Sequence, residues 1–210
     1  MKVLLFGATG FTGRAVLPRL LAEGHEVTAL VRSRHKIDME HPRLTLVEGD
    51  VTDEELIASS MEGQEAVINC IGKNKGSADD LISSVTQKII WAMEEKNVHR
   101  LIALSNVGAG DSYQTQPWLF RSILLPTLLK WLKRLIDDKN IMEPMIQKSK
   151  LDWTILRFPN ITHKPSKKRV LISQDGKGLS FSISLEDCAS FIVDQLQDKS
   201  LWYKSPSISN

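Results

Sequence analysis

The sequence has only two cysteines and almost no net charge. The two cysteines, Cys70 and Cys188, lie far apart in apolar stretches and lack the spacing of metal ligands. We therefore expect no metal site, and we predict that both thiols are reduced core residues of a cytoplasmic protein. Lysine and arginine number 27 against 25 aspartates and glutamates, which gives a formal net charge of +2. A charge this close to balance does not favour a nucleic-acid partner.

The sequence also lacks a long, uninterrupted apolar run. Before Gly7 the chain has one lysine and four apolar residues, too few for a signal-peptide core, so we expect no export. Residues 118–136 are strongly apolar, but four basic residues interrupt them and Pro126 would kink a helix there, so we expect no stable membrane insertion. The segment fits a core helix, a wall or lid for an apolar planar substrate, or a dimer face; a helix lying on a membrane surface is less favoured.

The first thirteen residues carry the clearest pattern. Residues 3–6 are wholly apolar, as a strand buried on both faces requires, and a helical pattern begins directly after Gly13. Between them lie three glycines at a spacing that lets the backbone approach a pyrophosphate, while the helix N-terminus offers unpaired N–H groups. A glycine-rich turn without a ligand is the alternative. The predicted nucleotide contacts here are Gly7, Thr9, Gly10, Phe11, Thr12 and Gly13.

The end of the second predicted strand, residues 26–31, indicates which nucleotide binds. An acidic residue at this position would bind the 2′-hydroxyl of NAD, but the chain has Arg32, Ser33 and Arg34, and no carboxylate before Asp38. Guanidinium groups with a hydroxyl suit a 2′-phosphate. This pattern favours NADP(H) as the cofactor, and a solvated basic loop is the alternative.

Strand and helix patterns alternate along the first half of the chain, which predicts an α/β fold with a doubly wound parallel sheet and helices on both faces. Ligands of such sheets bind at the carboxyl ends of the strands. Five further candidate residues follow predicted strands: Asp50, Val51, Ile71, Gly72 and Ser105. Asp50 could contact an adenine amino group or help to start the next helix. A sixth strand, residues 151–158, is followed by Pro159 and Asn160 at the same edge.

Several motifs together resemble the atypical short-chain dehydrogenase/reductases, in particular the NmrA-like proteins and the biliverdin-IXβ/flavin reductases. They are GATGFTG at 7–13, LVR at 30–32, EGDV at 48–51, LS at 104–105, LDWTILR at 151–157 and SLED at 184–187. The resemblance implies a single Rossmann-like NAD(P)-binding domain over residues 1–210, with a small C-terminal substrate region at about 111–183. It also implies NADPH as the nucleotide and a substrate that lies on the nicotinamide.

The chain departs from ordinary members of that superfamily, which use a Tyr-x-x-x-Lys pair for proton transfer to a carbonyl. Its two tyrosines, Tyr113 and Tyr203, are followed at that spacing by Pro117 and Ser207. Carbonyl reduction by that pair is therefore disfavoured. In the resembling reductases, hydride passes to a stacked, electron-poor ring, and the protein supplies orientation and a dry site.

The same resemblance assigns two candidate catalytic residues, Ser105 beside the nicotinamide and Asn160 where the family tends to place a histidine. His163 could serve instead of Asn160, but an exposed loop histidine is the favoured interpretation. Lys139 and Glu143 stand at helical i, i+4 spacing and could reach the site; a surface ion pair is the favoured interpretation.

Two functions follow as expectations. The first is an NADPH-dependent reductase of a flavin, tetrapyrrole or quinone, as a monomer or homodimer. The second is a non-catalytic NADP(H)-binding sensor or interaction protein of the NmrA-like kind.

Overall fold

A computed structural model describes residues 1–74, 76–115, 122, 127 and 130–210 of the chain. Much of the apolar segment 118–136 lies outside the described residues, so its four interpretations stay predictions. Among the helices that are described, none combines the length and the apolar character needed to cross a membrane.

The first half of the chain alternates strands with helices as predicted. Its elements are β1 (Lys2–Phe6), α1 (Gly13–Ala22), β2 (Glu26–Val31), β3 (Leu44–Glu48), α2 (Glu54–Ser60), β4 (Ala66–Asn69), α3 (Leu81–Glu95) and β5 (Arg100–Asn106). The second half consists of α4 (Lys130–Lys148), β6 (Asp152–Phe158), β7 (Asn160–Thr162), β8 (Leu171–Ser173), β9 (Ser182–Ser184), α5 (Leu185–Asp194) and β10 (Ser207–Ser209). Short 3₁₀ turns occupy Arg34–Lys36 and Gly110–Thr115.

Eight strands form one sheet in the order β3-β2-β1-β4-β5-β6-β10-β8. Every pair in it is parallel except β10 with β8, and a separate parallel pair joins β7 to β9. The predicted α/β fold with a mostly parallel sheet is therefore confirmed. The strand order reverses direction between β1 and β4, and a crevice at the carboxyl ends is expected at such a point.

Apolar side chains cover both faces of the sheet. Helices α1 and α5 pack on one face, where Val16, Leu20 and Ile192 are fully buried. Helices α2, α3 and α4 pack on the other, where Ile89 and Met142 are fully buried. The prediction that Cys70 and Cys188 are core thiols is confirmed, since both are buried and free.

Some predicted boundaries were wrong. The helical patterns of residues 137–148 and 188–196 predict helices that begin at Asp137 and Cys188, but α4 begins at Lys130 and α5 at Leu185. Helix α5 begins at Leu185 because Ser184 caps it: the Ser184 hydroxyl accepts a hydrogen bond from the Asp187 N–H at 3.0 Å. The pattern of residues 179–183 predicts a strand that begins at Leu179, but β9 begins three residues later, at Ser182. Strand β10 was missed because three residues around a single buried Ile208 give too short a pattern.

A carboxylate from α4 caps the start of α3. The Asp80 side chain, next to the first residue of α3, makes no capping bond. Instead the buried Asp138 carboxylate accepts from the N–H groups of Ile82 at 2.9 Å and Ser83 at 3.0 Å. It also pairs with the Lys73 ammonium at 3.1 Å. Burial opposes ionisation of Asp138, but these bonds outweigh it and hold its pKa below the usual value.

We expect Asp138→Ala to lower the free energy of unfolding by about 2–4 kcal/mol, since it leaves two buried N–H groups and the Lys73 ammonium without their partner. Because the folded-state pKa of Asp138 is depressed, this stabilisation is present above the unfolded pKa of about 4 and is lost as pH falls through the folded value. Urea unfolding as a function of pH measures both effects.

Asp137→Ala is the matched control. Asp137 is half-exposed and pairs with Lys133 at 2.6 Å on the helix surface, so its loss should cost less than about 1 kcal/mol. Equal losses for the two variants would contradict the capping role of Asp138.

Candidate nucleotide-binding site

The glycine loop between β1 and α1 is built on backbone approaches that exclude a side chain. Gly7 has φ +78°, and a Cβ there would lie 2.5 Å from the Cys70 carbonyl oxygen. A Cβ on Gly13 would lie 2.1 Å from the Gly7 carbonyl oxygen. The Gly10 N–H donates to that same oxygen at 2.9 Å. The loop is therefore folded tightly over the start of α1, as a phosphate cradle requires.

A groove of about 310 Å³ opens beside this loop, at the carboxyl ends of β1, β2, β3 and β4. Eight of the predicted contacts line it: Gly7, Thr9, Gly10, Arg32, Asp50, Val51, Ile71 and Gly72. The remaining predicted residues lie outside its lining: Phe11, Thr12, Gly13, Ser33, Arg34, Ser105, Pro159 and Asn160. The sequence interpretation missed the wall formed by Asn74, Gly76, Ser77, Ala78 and Leu81. Their polar, glycine-containing loop directly after β4 was the available signal.

The two arginines at the end of β2 differ in what they face. Arg32 is exposed in the groove and has no ion-pair partner among the described residues. Arg34 turns to β3, where its Nε lies 3.5 Å from a Glu48 oxygen. Asp50 accepts from the Thr52 hydroxyl at 2.7 Å and from the Thr52 N–H at 2.8 Å, and these bonds lower the pKa of the Asp50 carboxyl. The groove thus presents one unpaired guanidinium and one ionised carboxylate at its β2–β3 end.

The segment after β6 reaches the glycine loop. The ring of His163 lies edge-on to the exposed Phe11 ring, with 5.0 Å between centroids. Asn160 is exposed and begins β7, and the half-buried Pro159 precedes it. The predicted pair Pro159 and Asn160 therefore precedes the segment that contacts the loop but does not line the groove.

Ser105 at the end of β5 belongs to a buried polar cluster. Its hydroxyl donates to Glu143 Oε1 at 2.7 Å, and only 4% of Ser105 is exposed. Glu143 receives two bonds from Arg157, from Nη2 at 2.6 Å and from Nε at 3.1 Å. Burial alone would lower the pKa of Arg157, but Glu143 and Asp111 raise it, so the guanidinium stays charged. This ion pair fixes the Ser105 hydroxyl toward Glu143.

Lys139 approaches the same strand end from α4. Its Nζ donates to the Leu104 carbonyl at 2.5 Å and lies 3.8 Å from the Met142 sulfur. Burial lowers the pKa of Lys139 to about 8, against a smaller opposing effect of Asp138 and Glu143. Burial also raises the pKa of the neighbouring Cys70 thiol to about 12, so this thiol is neutral.

The predicted surface ion pair between Lys139 and Glu143 is wrong. Both side chains are buried against the sheet and bond to separate partners, Lys139 to β5 and Glu143 to β6 and Ser105. Residue Leu135 stands four positions before Lys139. No tyrosine therefore precedes Lys139 at the Tyr-x-x-x-Lys spacing.

We expect Gly13→Ala to destabilise the fold by about 1–3 kcal/mol, because the added methyl group meets backbone that cannot turn aside. Gly72→Ala is the matched control, since a Cβ at Gly72 meets no atom within 4 Å. Urea unfolding compares the two variants. Similar unfolding midpoints for both would show that the approach of Gly13 to Gly7 is not rigid.

Known proteins share this architecture. The chain is 28% identical over 206 residues to the uncharacterised protein YwnB of Bacillus subtilis, covering 94% of this chain and 92% of YwnB. It superposes on ChuY of Escherichia coli O157:H7, described as an anaerobillin reductase, with a TM-score of 0.82 at 22% identity, over 100% of this chain and 97% of ChuY. It also superposes on a Veillonella parvula short-chain dehydrogenase/reductase in complex with NADP. The TM-score is 0.77 at 21% identity, over 100% of this chain and 94% of the Veillonella chain.

These two superpositions show the Rossmann-like fold that the resemblance implies. The model of the NAD(P)H-binding family matches residues 7–199, a range that includes the glycine loop, the groove and α4. The chain therefore belongs to the NAD(P)H-binding family.

Proposed function

We propose that this protein is an NADPH-dependent reductase that transfers hydride to a planar conjugated substrate such as a flavin, a tetrapyrrole or a quinone. One observation carries the proposal. The nucleotide groove ends at Cys70, beside a buried cluster of Ser105, Glu143 and Lys139 in which no tyrosine precedes the lysine at the Tyr-x-x-x-Lys spacing. Such a site orients a cofactor but lacks the Tyr–Lys pair that protonates a carbonyl, so it suits an acceptor that takes hydride into an electron-poor ring.

The groove fits the cofactor. The glycines leave room for a pyrophosphate at the N-terminus of α1, where backbone N–H groups and the helix dipole favour a phosphate charge. Arg32, which has no ion-pair partner in the described part of the chain, lies at the β2 end, where its guanidinium would bind a 2′-phosphate bidentately. Asp50 and Val51 line the adenine end, and Ile71 and Gly72 line the opposite end.

The chain's own residues prepare the site for transfer, and the bound cofactor supplies the hydride. The Ser105 hydroxyl donates to Glu143, which Arg157 holds in place. The lone pairs of the Ser105 oxygen can therefore accept a hydrogen bond from a ligand. The buried side chains of Ile71 and Leu104 exclude water from the strand ends. Asn160 can orient a substrate by its amide but cannot supply a proton, so solvent is the proton source in this proposal.

The substrate class draws further support from structural likeness. ChuY is described as an anaerobillin reductase, and this chain shares its fold over its full length. The substrate would lie between Pro159 and Asn160 on one side and the region that follows β5 on the other, within residues 111–183.

We expect purified protein to consume NADPH when FMN, biliverdin or a quinone is added, because the site can present hydride to a stacked ring without an enzymic acid. Loss of absorbance at the NADPH band, measured with and without protein, reports turnover. Tight NADPH binding with no protein-dependent consumption by any of the three acceptors would contradict the reductase and favour the sensor.

We expect Arg32→Ala to weaken NADPH binding by roughly 10- to 100-fold while NADH binding changes little, since a charge-assisted bond to the 2′-phosphate is lost. Arg34→Ala is the matched control, because Arg34 faces Glu48 and should leave both affinities within about threefold. Fluorescence titration of the bound reduced nicotinamide measures the four affinities. An equal loss of affinity for NADPH and NADH in Arg32→Ala would contradict a contact between Arg32 and the 2′-phosphate.

A further inference from the structure

Lys139 is a buried cation that contacts no carboxylate among the described residues. Only 4% of the residue is exposed. The ammonium bonds to the Leu104 carbonyl and lies near the Met142 sulfur, both of which are neutral acceptors. No ion pair involves it within the described part of the chain, although buried charges in proteins are usually paired. An uncompensated charge of this kind at a ligand edge is a candidate for function.

The carboxylates nearest to Lys139 are already neutralised by other cations. Asp138 is directed at the start of α3 and paired with Lys73. Glu143 is held bidentately by Arg157. A second carboxylate on that arginine, from Asp111, is exposed, so solvent screens its charge.

The other groups that face Lys139 add no negative charge. The Cys70 thiol of the adjacent strand is neutral, and Ser105 is an uncharged donor to Glu143. Lys73, on the loop after β4, adds to the positive potential. Lys139 therefore brings to the ends of β4 and β5 a positive charge that no described carboxylate contacts.

A dinucleotide bound in the groove would have its redox-active ring on the side of this charge. The groove has Arg32 and Asp50 at its β2–β3 end and the glycine loop at its centre. Its opposite end is formed by Cys70, Ile71 and Gly72, at the carboxyl end of β4. A dinucleotide with its adenosine at the first end would extend its nicotinamide toward the second, where Cys70 interacts electrostatically with Lys139.

We propose that the Lys139 ammonium makes the site select the reduced cofactor, whose nicotinamide ring is neutral, over the oxidised cofactor, whose ring is cationic. The inference rests on the cofactor of the proposed function and not on its substrate. Two like charges about 10 Å apart, at an effective dielectric constant near 20, repel enough to weaken binding by roughly tenfold. The reduced form has no such charge, so it is not penalised. Release of the oxidised product is favoured by the same repulsion.

The selection should depend on pH. Burial places the pKa of Lys139 near 8, so the ammonium is present below that value and is lost as pH rises through it. The preference for the reduced cofactor is then greatest near neutral pH and declines in alkali. A selection that came only from ring shape would not change in this way.

Isothermal titration with NADPH and with NADP⁺ tests the proposal on wild-type protein, Lys139→Met and Lys139→Arg. We expect the wild type to bind NADPH roughly tenfold more tightly than NADP⁺ at neutral pH. Lys139→Met should lose this ratio mainly through tighter NADP⁺ binding, and Lys139→Arg should keep it. Lys133→Met is the matched control, since Lys133 lies on the surface of the same helix and pairs with Asp137.

A second measurement does not depend on any variant. The NADPH to NADP⁺ affinity ratio of the wild type should fall between about pH 7 and about pH 9. Equal affinities at neutral pH, an unchanged ratio in Lys139→Met, a flat pH profile, or failure to bind either form would each overturn the inference. Absence of turnover with every acceptor would defeat the proposed reductase but leave the ratio measurable, so the two failures are distinguishable.

Discussion

The tight contact between Gly7 and Gly13 is the constraint on which the site depends. It joins the end of the central strand β1 to the start of α1 with no space for a side chain. Because β1 lies between β2 and β4, this contact fixes the glycine loop at the point where the strand order reverses. The ends of the flanking strands then supply the two ends of the groove, Arg32 and Asp50 on one side and Ile71 on the other. A parallel sheet converts residues that are distant in sequence into neighbours in this way.

Helix α4 connects this groove to the rest of the molecule through three side chains. Asp138 holds the start of α3, which is part of the groove wall. Lys139 bonds to the end of β5, and Glu143 bonds to Ser105 and to Arg157 of β6. Three polar groups within six residues thus bind three separate elements. The apolar face of the same helix, with Met142 and Ile146, packs into the core and holds these groups in place.

Much of the fold could be predicted from the sequence, because apolar runs punctuated by glycine specify buried parallel strands and the helices between them. Arg32 and the glycine loop could be placed because they follow directly from the first two strands. The roles of Lys139 and Glu143 could not, since an i, i+4 pair looks the same on an exposed face as on a buried one. Only the packing of α4 against β5 and β6 decides that, and it involves residues up to 38 positions apart. The role of Arg157 could not be predicted either, because it is a charged residue within an apolar strand pattern and its partners are known only from the packing.

The capping of α3 by Asp138 has a consequence for the order of folding. The acceptor for the first turn of α3 lies 55 to 56 residues later in the chain. That turn therefore gains its bonds only after α4 has docked, which is a non-local event with a large loop-closure cost. The groove wall is then completed late, after the strands that surround it have paired. Nascent chain that has emerged only through β5 would have the glycine loop but not a finished cofactor site.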